Sequence, residues 1–340
     1  MSALLVPPRS EFVGEIRVPG DKSISHRALI FGALATGVTR ISGLLAAADV
    51  ESTARCLRAL GVEIEVDAGG VRVHGRNWSL LPPELPLDCG NSGTTMRLLS
   101  GALVGQSFES VLVGDESLSE RPMGRVTKPL NRLGAQIECN ERGLAPIKIG
   151  PSDMCGTRLE LEISSAQVRS ALLLAGLCAR GKTQIYQPGR ARDHTERLLT
   201  AMGVELAVTQ RFGTEISILG GQELTGIDIQ VPGDISSASF FMVGAAVTPG
   251  SSLRLPGVGG NPTRMGVIEV LLRMGADIQV DNLRNQSGEP VGDIFVRGGV
   301  LRGVEIVGAE IPSLIDELPI LAVAASMATG ETTVVGAEEL

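Results

Sequence analysis

Two stretches of the sequence, VPGDKSISHRALIFGALATG at residues 18–37 and VPGDISSASFFMVGAAVTPG at residues 231–250, repeat one pattern at an offset of 213 residues. Each starts with a Pro-Gly turn and an aspartate suited to capping backbone N–H groups, and continues as a helix that is apolar nearly all round. We therefore expect two related halves with crossings near residues 20 and 235. The first domain would hold residues 21–235, and the second residues 1–20 together with 236–340.

A shorter repeat of about 70 residues runs through both halves. Four segments end an amphipathic helix at a glycine and continue as an alternating strand: LRALGVEIEV (57–66), LNRLGAQIEC (130–139), LTAMGVELAV (199–208) and LLRMGADIQV (271–280). Five apolar helices rich in Ala and Gly recur at the same interval. The repeating unit is therefore strand, helix, strand, helix, strand, strand, with one surface helix and one buried helix, which predicts an α/β protein.

The composition excludes several classes of function. Of the 340 residues, 43% are hydrophobic and 20% are charged, which is ordinary for a globular protein. A net charge of −8 and an aromatic content of 3% disfavour nucleic acid as a partner. Five cysteines without a C-x-x-C pair suggest neither a disulfide framework nor a zinc site, and the first twenty residues do not resemble a signal peptide. We expect a cytoplasmic protein without membrane spans.

Cations stand at the starts of the predicted buried helices. Ser, Asn and Asp at these positions are ordinary caps, but Lys22, Arg27 and Arg97 oppose the helix dipole there. If the buried helices point their N-termini at a common centre, N–H groups and cations converge on an anion site. Nearby polar side chains could then add ligands for phosphate and carboxylate groups. With the cations, the candidate anion-binding residues are Lys22, Ser23, Arg27, Arg97, Arg121, Ser165 and Gln167. A set of ordinary caps remains the alternative.

The three histidines do not indicate a metal. His26, His74 and His194 lack the spacing of metal ligands, and we expect each to have a surface role. No nucleophile motif or dinucleotide fingerprint is present in the sequence. Direct general acid/base chemistry on anionic substrates is therefore the enzymatic class that fits.

Eight segments in order along the chain resemble the 5-enolpyruvylshikimate-3-phosphate synthase family. They are PGDKSISHRAL, DCGNSGTTMRLLSG, GDESLSERPMGR, SSAQVRSALLLAGL, ARDHTERLL, PGDISSASF, NPTRMGVIEVL and PSLIDELPILAVAA. The resemblance implies a two-domain inside-out α/β barrel, the enolpyruvyl transferase fold. It also implies transfer of the carboxyvinyl group of phosphoenolpyruvate to the 5-hydroxyl of shikimate 3-phosphate, with release of phosphate and no cofactor. This reaction belongs to aromatic amino-acid biosynthesis and is a target of glyphosate.

The resemblance also implies roles for single residues. Lys22 would touch both substrates, Gly93 and Arg121 would bind phosphoenolpyruvate, and Asp316 would take the proton of the 5-hydroxyl. The shikimate phosphate would be held by the remaining set, which comprises Ser23, Arg27, Ser165, Ala166, Gln167 and Arg192. From the residues alone, Asp316 could equally be a helix N-cap. Ala166 departs from the second serine of many relatives, and together with Arg192 in ARDHTE it resembles a glyphosate-tolerant branch.

Two alternatives are a UDP-N-acetylglucosamine enolpyruvyl transferase and a binding protein without catalysis. The first would show a Lys-Asn pair after the first glycine turn and a cysteine between residues 90 and 120, whereas this chain has Lys22-Ser23 and no cysteine between Cys89 and Cys139. The second gains weight because the family's R-x-K-E-S-D-R motif is not in the sequence. The repeat predicts that the last unit is missing, so we expect exposed apolar surface on the helix at 318–329, a poorly soluble or partly open second domain, and no activity of the chain by itself. We also expect a monomer.

Overall fold

The computed structural model describes residues 11–337, which form two compact units. The larger unit comprises Gly20–Val231, and the smaller unit comprises residues 11–19 and 232–337. The changes of unit therefore fall at Pro19/Gly20 and Val231/Pro232. Each unit has its own hydrophobic core.

The secondary structure of residues 11–337 alternates helices with short strands. The helices are α1 (Lys22–Leu34), α2 (Ala48–Ala59), α3 (Gly93–Leu103), α4 (Glu116–Ser119), α5 (Gly124–Arg132), α6 (Ala166–Cys178), α7 (His194–Ala201), α8 (Ile235–Ala246), α9 (Gly266–Arg273), α10 (Ile311–Leu314) and α11 (Leu318–Met327). The strands are β1 (Val13–Glu15), β2 (Val38–Ser42), β3 (Ile64–Asp67), β4 (Gly70–His74), β5 (Leu87–Asp88), β6 (Ser110–Val113), β7 (Gln136–Glu138), β8 (Ile147–Gly150), β9 (Arg158–Glu160), β10 (Lys182–Gln187), β11 (Leu206–Gln210), β12 (Thr214–Leu219), β13 (Asp228–Gln230), β14 (Ser252–Gly259), β15 (Asp277–Gln286), β16 (Glu289–Arg297), β17 (Glu305–Val307) and β18 (Thr333–Val335). Short 3₁₀ turns lie at Pro262–Arg264 and Ile315–Glu317.

The larger unit contains three four-stranded sheets of identical topology. Their strand orders are β13-β2-β4-β3, β5-β6-β8-β7 and β9-β10-β12-β11. In each sheet the first pair is parallel and the next two pairs are antiparallel. The parallel pair is joined through a buried helix in two of the sheets, α3 or α6, while α1 leads into β2 of the third. The predicted order of strands and helices in the repeat is confirmed.

Glycines end the surface helices as predicted. Gly61, Gly134, Gly203 and Gly275 follow α2, α5, α7 and α9, with φ between +79° and +98°. This left-handed conformation is costly for residues with a Cβ atom, which explains why glycine recurs at the same place in each repeat.

The predicted buried helices form the core of the larger unit. Every residue of α1 from Ile24 to Leu34 is buried, and the same holds for Val168 to Leu177 in α6. The helices α3 and α6 approach so closely that a Cβ atom on Gly101 would overlap the Ala171 carbonyl oxygen. Helices of this kind have no polar side. Their polar groups lie in the first turn, at the edge of the hydrophobic core.

The smaller unit contains one complete sheet of the same type, β1-β14-β16-β15, and the parallel pair β17-β18. Its helix α11 buries Leu321 and Ala324 and leaves Val323 and Met327 exposed, so the apolar exposure expected of this helix is present. Among residues 11–337, no helix is both long and apolar enough to span a bilayer.

Candidate functional site

The first turn of α1 carries two of the predicted site residues, Lys22 and Ser23. Asp21 caps the helix by accepting a 2.9 Å hydrogen bond from the Ile24 N–H, as predicted. Lys22 is the first helical residue, with an exposed side chain whose Nζ lies 3.6 Å from Asp49 Oδ2. Ser23 is half-buried beside it. Lys22 thus remains accessible to a ligand, and the half-buried Asp49 carboxylate balances its charge only in part.

Arg27 lies below this turn and connects three helices. Its side chain is buried, its Nε donates to Thr195 Oγ1 of α7 at 2.7 Å, and its guanidinium also donates to Ser170 Oγ of α6 at 2.8 Å. A third hydrogen bond of 2.9 Å goes to the Ser23 carbonyl oxygen. The starts of α1, α6 and α7 are therefore held at one place in the larger unit.

A second set of contacts joins the starts of α3 and α6. Gln167 accepts a hydrogen bond from the Arg97 guanidinium at 2.8 Å and donates to Thr94 Oγ1 at 2.9 Å. Ser165 is the N-cap of α6, and Ala166 is its first residue. These contacts hold the first turns of the buried helices α3 and α6 next to each other.

Gly93 lies beside two arginine guanidinium groups. It is the first residue of α3, and a Cβ atom placed on it would be 2.7 Å from one Arg97 guanidinium nitrogen and 3.5 Å from one of Arg121. Burial lowers the pKa of Arg97, and the charges of Arg121 and Arg125 lower it further. An anion bound at this helix start would relieve that repulsion.

The Arg121 side chain is oriented by Asn91, which is held in turn by Asp115. Its guanidinium donates to Asn91 Oδ1, and the Asn91 amide in turn donates to both carboxylate oxygens of Asp115 at 3.0 and 2.8 Å. Asp115 also caps α4 through the Leu118 N–H, and this bond, followed by the Asn91 bond, lowers the pKa of its carboxyl group. Asp115 therefore positions Arg121 indirectly, through the Asn91 side-chain amide.

The expected surface role of His26 and His194 is wrong, because both side chains are buried. His26 lies on a helix that has no solvent-exposed side, and its Nδ1 is 2.7 Å from Thr53 Oγ1. Thr53 Oγ1 continues the chain to Thr95 Oγ1 at 2.6 Å, and Thr95 Oγ1 bonds to Ser92 Oγ, the N-cap of α3, at 2.7 Å. A buried line of polar side chains thus links α1 to the start of α3.

His74, by contrast, is partly exposed on β4. Tertiary structure brings it near Glu63 and Glu65, with ligand atoms of the three residues within 4.8 Å of one another. The Arg72 Nε already lies 2.7 Å from Glu65 Oε2, so this group is an exposed ion-pair cluster on the sheet surface.

A buried ion pair near Arg192 was not predicted from the sequence. Arg169 and Glu196 are buried against each other, and the Arg169 guanidinium also donates to the Arg192 carbonyl oxygen at 2.7 Å. Arg192 itself is half-buried at the end of the loop before α7. Arg169 lies in an otherwise apolar helix, so the sequence around it did not indicate an ion pair. The only local signal for its partner was that Glu196 stands three positions after Asp193.

Asp316 belongs to the smaller unit, where it lies with an exposed side chain in the 3₁₀ turn Ile315–Glu317. Neither that turn nor α11 has Asp316 as its N-cap residue, so the capping alternative loses support. Its neighbour Glu317 is fully buried and pairs with the buried Arg264 at 3.2 Å. The predicted site residues other than Asp316 all lie in the larger unit.

The chain matches the family model described as EPSP synthase (3-phosphoshikimate 1-carboxyvinyltransferase) over residues 6–340. A 3-phosphoshikimate 1-carboxyvinyltransferase of Acidithiobacillus ferrooxidans is 51% identical over 100% of this chain and 78% of its own length. One from Methylococcus capsulatus is 52% identical over 98% of this chain and 76% of its own.

Two solved structures are also similar. The EPSP synthase of Acinetobacter baumannii, 48% identical, superposes with a TM-score of 0.89 over 98% of this chain and 76% of that one. The enolpyruvyl transferase NikO of Streptomyces tendae superposes with a TM-score of 0.74 over 96% of this chain and 76% of that one. At 19% identity, NikO supports the fold alone.

Proposed function

The chain belongs to the EPSP synthase family, and from this we propose that the starts of α1, α3 and α6 bind its two anionic substrates. The function is that of a transferase of the shikimate pathway: the carboxyvinyl group of phosphoenolpyruvate moves to shikimate 3-phosphate, and phosphate is released. Relatives that are 51% and 52% identical are named for this activity, so the UDP-N-acetylglucosamine alternative is the less supported one.

The phosphoenolpyruvate site is the start of α3. The observation that carries it is the convergence of Arg97 and Arg121 on Gly93, together with the N–H groups of Gly93 and Thr94 at the helix start. Two guanidinium groups suit a ligand that has both a phosphate and a carboxylate, because each can bind oxygens in pairs. Lys22 supplies the charge that touches both substrates.

The shikimate 3-phosphate site is the junction of α1, α6 and α7. Its support is the cluster in which Arg27 joins Ser23, Ser170 and Thr195, with Ser165 and Gln167 at the adjoining helix start. Ala166 contributes a backbone N–H in the first turn of α6. Arg192 lies in the loop before α7, where its carbonyl oxygen accepts a hydrogen bond from the Arg169 guanidinium. These groups provide hydroxyl and cationic donors for a phosphate.

We assign Asp316 as the base that takes the proton of the attacking 5-hydroxyl. Its carboxylate is exposed, and it is not the N-cap residue of its turn or of α11, which supports a role toward a ligand. Lys22, in the larger unit, is the second catalytic residue of the proposal, and it stabilises negative charge that develops as the bond to phosphate breaks.

Cytoplasmic location and a monomeric state are further parts of this proposal. Support for the location comes from five free cysteines within the described residues, a pattern usual in a reducing compartment. The net charge of −8 supports the absence of nucleic acid among the partners.

Shikimate 3-phosphate should bind to this chain, and Arg27→Ala should weaken the binding by more than about 1.5 kcal/mol, or more than tenfold in Kd, because a charge-assisted contact is lost. Titration calorimetry measures the affinity. Arg142→Ala is the matched control, since Arg142 is 71% exposed and forms only a surface pair with Glu120.

Arg27→Ala also removes internal hydrogen bonds, so Lys22→Met is measured beside it. Lys22 is 53% exposed, and this variant should keep the fold while losing affinity. Failure of shikimate 3-phosphate to bind, or binding of UDP-N-acetylglucosamine in its place, would contradict the proposal. Phosphate release on adding phosphoenolpyruvate separates a transferase from a binding protein.

Gly93→Ala should weaken phosphoenolpyruvate binding in the presence of shikimate 3-phosphate by about tenfold. The new methyl group would lie 2.7 Å from an Arg97 nitrogen, so the guanidinium must move and release Gln167. Gly124→Ala is the control, since Gly124 is also the first residue of its helix and its Cβ would have no neighbour nearer than 3.8 Å. Equal affinities in the two variants would rule out the steric argument.

A further inference from the structure

The turn that carries Asp316 is tied to the start of α8 by a cluster of buried and half-buried side chains. The Glu317 carboxylate accepts hydrogen bonds from the Ser236 hydroxyl and from the Arg264 guanidinium, the latter at 3.2 Å. The Arg264 guanidinium also donates to Ser236 Oγ and lies 3.7 Å from Asp234 Oδ1. The Arg264 side chain is 3% exposed and that of Glu317 is 0% exposed. Three separate parts of the smaller unit therefore meet at one buried ion pair.

A second contact holds the segment just before this turn. The helix α10 packs so closely on the start of α9 that a Cβ atom on Gly266 would overlap Ser313 Oγ. Leu314, the last residue of α10, is fully buried. The chain is thus anchored inside the unit at Leu314 and again at Glu317, and only the two residues between them are exposed.

This arrangement fixes the direction of the Asp316 side chain. A 3₁₀ turn has about three residues per turn, so successive side chains point about 120° apart. Because the Glu317 carboxylate is held inside the unit, the neighbouring Asp316 side chain faces outward. The N-cap position of the turn is the apolar Leu314, which cannot accept a hydrogen bond through its side chain. The buried ion pair supplies the polar anchor that a cap would otherwise give.

The cluster is not a second anion site like that proposed at α1. The repeat at an offset of 213 residues places Ile235 of α8 where α1 has Lys22. The Arg264 guanidinium at this helix start is already matched by the carboxylates of Asp234 and Glu317. A phosphate would have to displace both carboxylates, so the charges here serve the turn rather than a ligand.

We propose that Arg264 and Glu317 are positioning residues that hold the Asp316 carboxylate in the direction from which it acts as the base. This inference rests on the proposed function, in which Asp316 receives the proton of the 5-hydroxyl. Glu317 is too deeply buried to touch a ligand, so its effect passes through the backbone that it shares with Asp316. Without the ion pair the turn takes up other conformations, and a carboxylate in its productive direction for only part of the time binds more weakly.

The test is a double-mutant cycle on the affinity for shikimate 3-phosphate, measured by titration calorimetry with the full chain. Asp316→Ala should weaken binding about tenfold, and Glu317→Gln should weaken it by a similar factor. In a chain that already carries Asp316→Ala, Glu317→Gln should change the Kd by less than about twofold, because it acts only through Asp316. A merely structural role of Glu317 would give the same loss in both backgrounds.

Glu310→Gln is the matched control. Glu310 also pairs with an arginine, Arg273 at 2.7 Å, but its carboxylate bonds to the Val307 N–H rather than to the turn. This variant should keep the wild-type affinity. Hydrogen exchange of the backbone N–H groups of residues 315–318, measured without ligand, should be faster in Glu317→Gln than in Glu310→Gln.

Glu317→Gln leaves the Arg264 charge buried beside a neutral amide, so Arg264→Met/Glu317→Leu is measured beside it, a variant in which this pair leaves no charge unmatched. It should lose affinity in the same way and only when Asp316 is present. Wild-type affinity in either Glu317 variant, or equal losses in the two backgrounds, would overturn the positioning role while a weakened Asp316→Ala leaves the proposed function standing. Wild-type affinity in Asp316→Ala would instead contradict the role of Asp316 in the proposed function, and this inference with it.

Discussion

Replacing Glu196 by alanine should lower the free energy of unfolding of the larger unit by about 3–5 kcal/mol, the usual cost of breaking a buried ion pair from one side. Only 2% of the Arg169 side chain and 6% of the Glu196 side chain are exposed. The variant leaves the Arg169 guanidinium buried without its carboxylate. Urea unfolding followed by the fluorescence of Trp78, the single tryptophan, measures the larger unit selectively.

Two further variants sharpen this measurement. Glu160→Ala removes a carboxylate that is 65% exposed and 3.3 Å from Arg158, and it should cost less than about 1 kcal/mol because solvent screens the pair. The double variant Arg169→Met/Glu196→Leu should recover most of the lost stability, since no charge is then left unpaired. A loss in Glu196→Ala as small as that in Glu160→Ala would show that the buried pair does not stabilise the unit.

The second large effect concerns pH, because burial lowers the pKa of His26 to about 3. The neighbouring charges of Arg27 and Lys22 lower it as well, while Asp21 opposes them. Unfolded His26 binds a proton near its ordinary pKa of about 6.5, whereas folded His26 does not. Its contribution is therefore complete above about pH 6.5 and is lost progressively as the pH falls toward the folded value.

Between pH 7.5 and 4.5, the stability difference between the wild type and His26→Asn should shrink by about 3 kcal/mol, since each pKa unit corresponds to about 1.4 kcal/mol. Asparagine keeps a polar atom for the Thr53 hydroxyl but does not titrate. The comparison cancels the carboxylates that both proteins share. Thr39→Val, at another fully buried polar side chain of the larger unit, is the control, because threonine does not titrate and its difference from the wild type should be the same at both pH values.

Several parts of the site could be predicted because they depend on neighbours in sequence. Asp21 and Asp234 cap their helices through N–H groups two or three residues away. Gly61 and its counterparts end helices through their own φ angles. Such features follow from local backbone geometry, so residue type and spacing were sufficient to find them.

The burial of His26, by contrast, could not be predicted from its neighbours in sequence. Its position near polar residues suggested solvent, but α1 is enclosed on all sides, and Thr53 provides its hydrogen-bond partner from another helix. Glu196 is similar, since only the fold places it against Arg169. Burial of a polar side chain depends on residues that pack against it from distant parts of the chain.

The repeat of about 70 residues was sufficient to establish the α/β architecture, because hydrophobic period and helix-ending glycines are properties of consecutive residues. Which side chains meet was decided by the tertiary structure. Arg27 reaches Thr195 across 168 positions, and Arg97 reaches Gln167 across 70. Contacts at these separations form only when the helices pack together, and no local pattern specifies which partners then come within hydrogen-bonding distance.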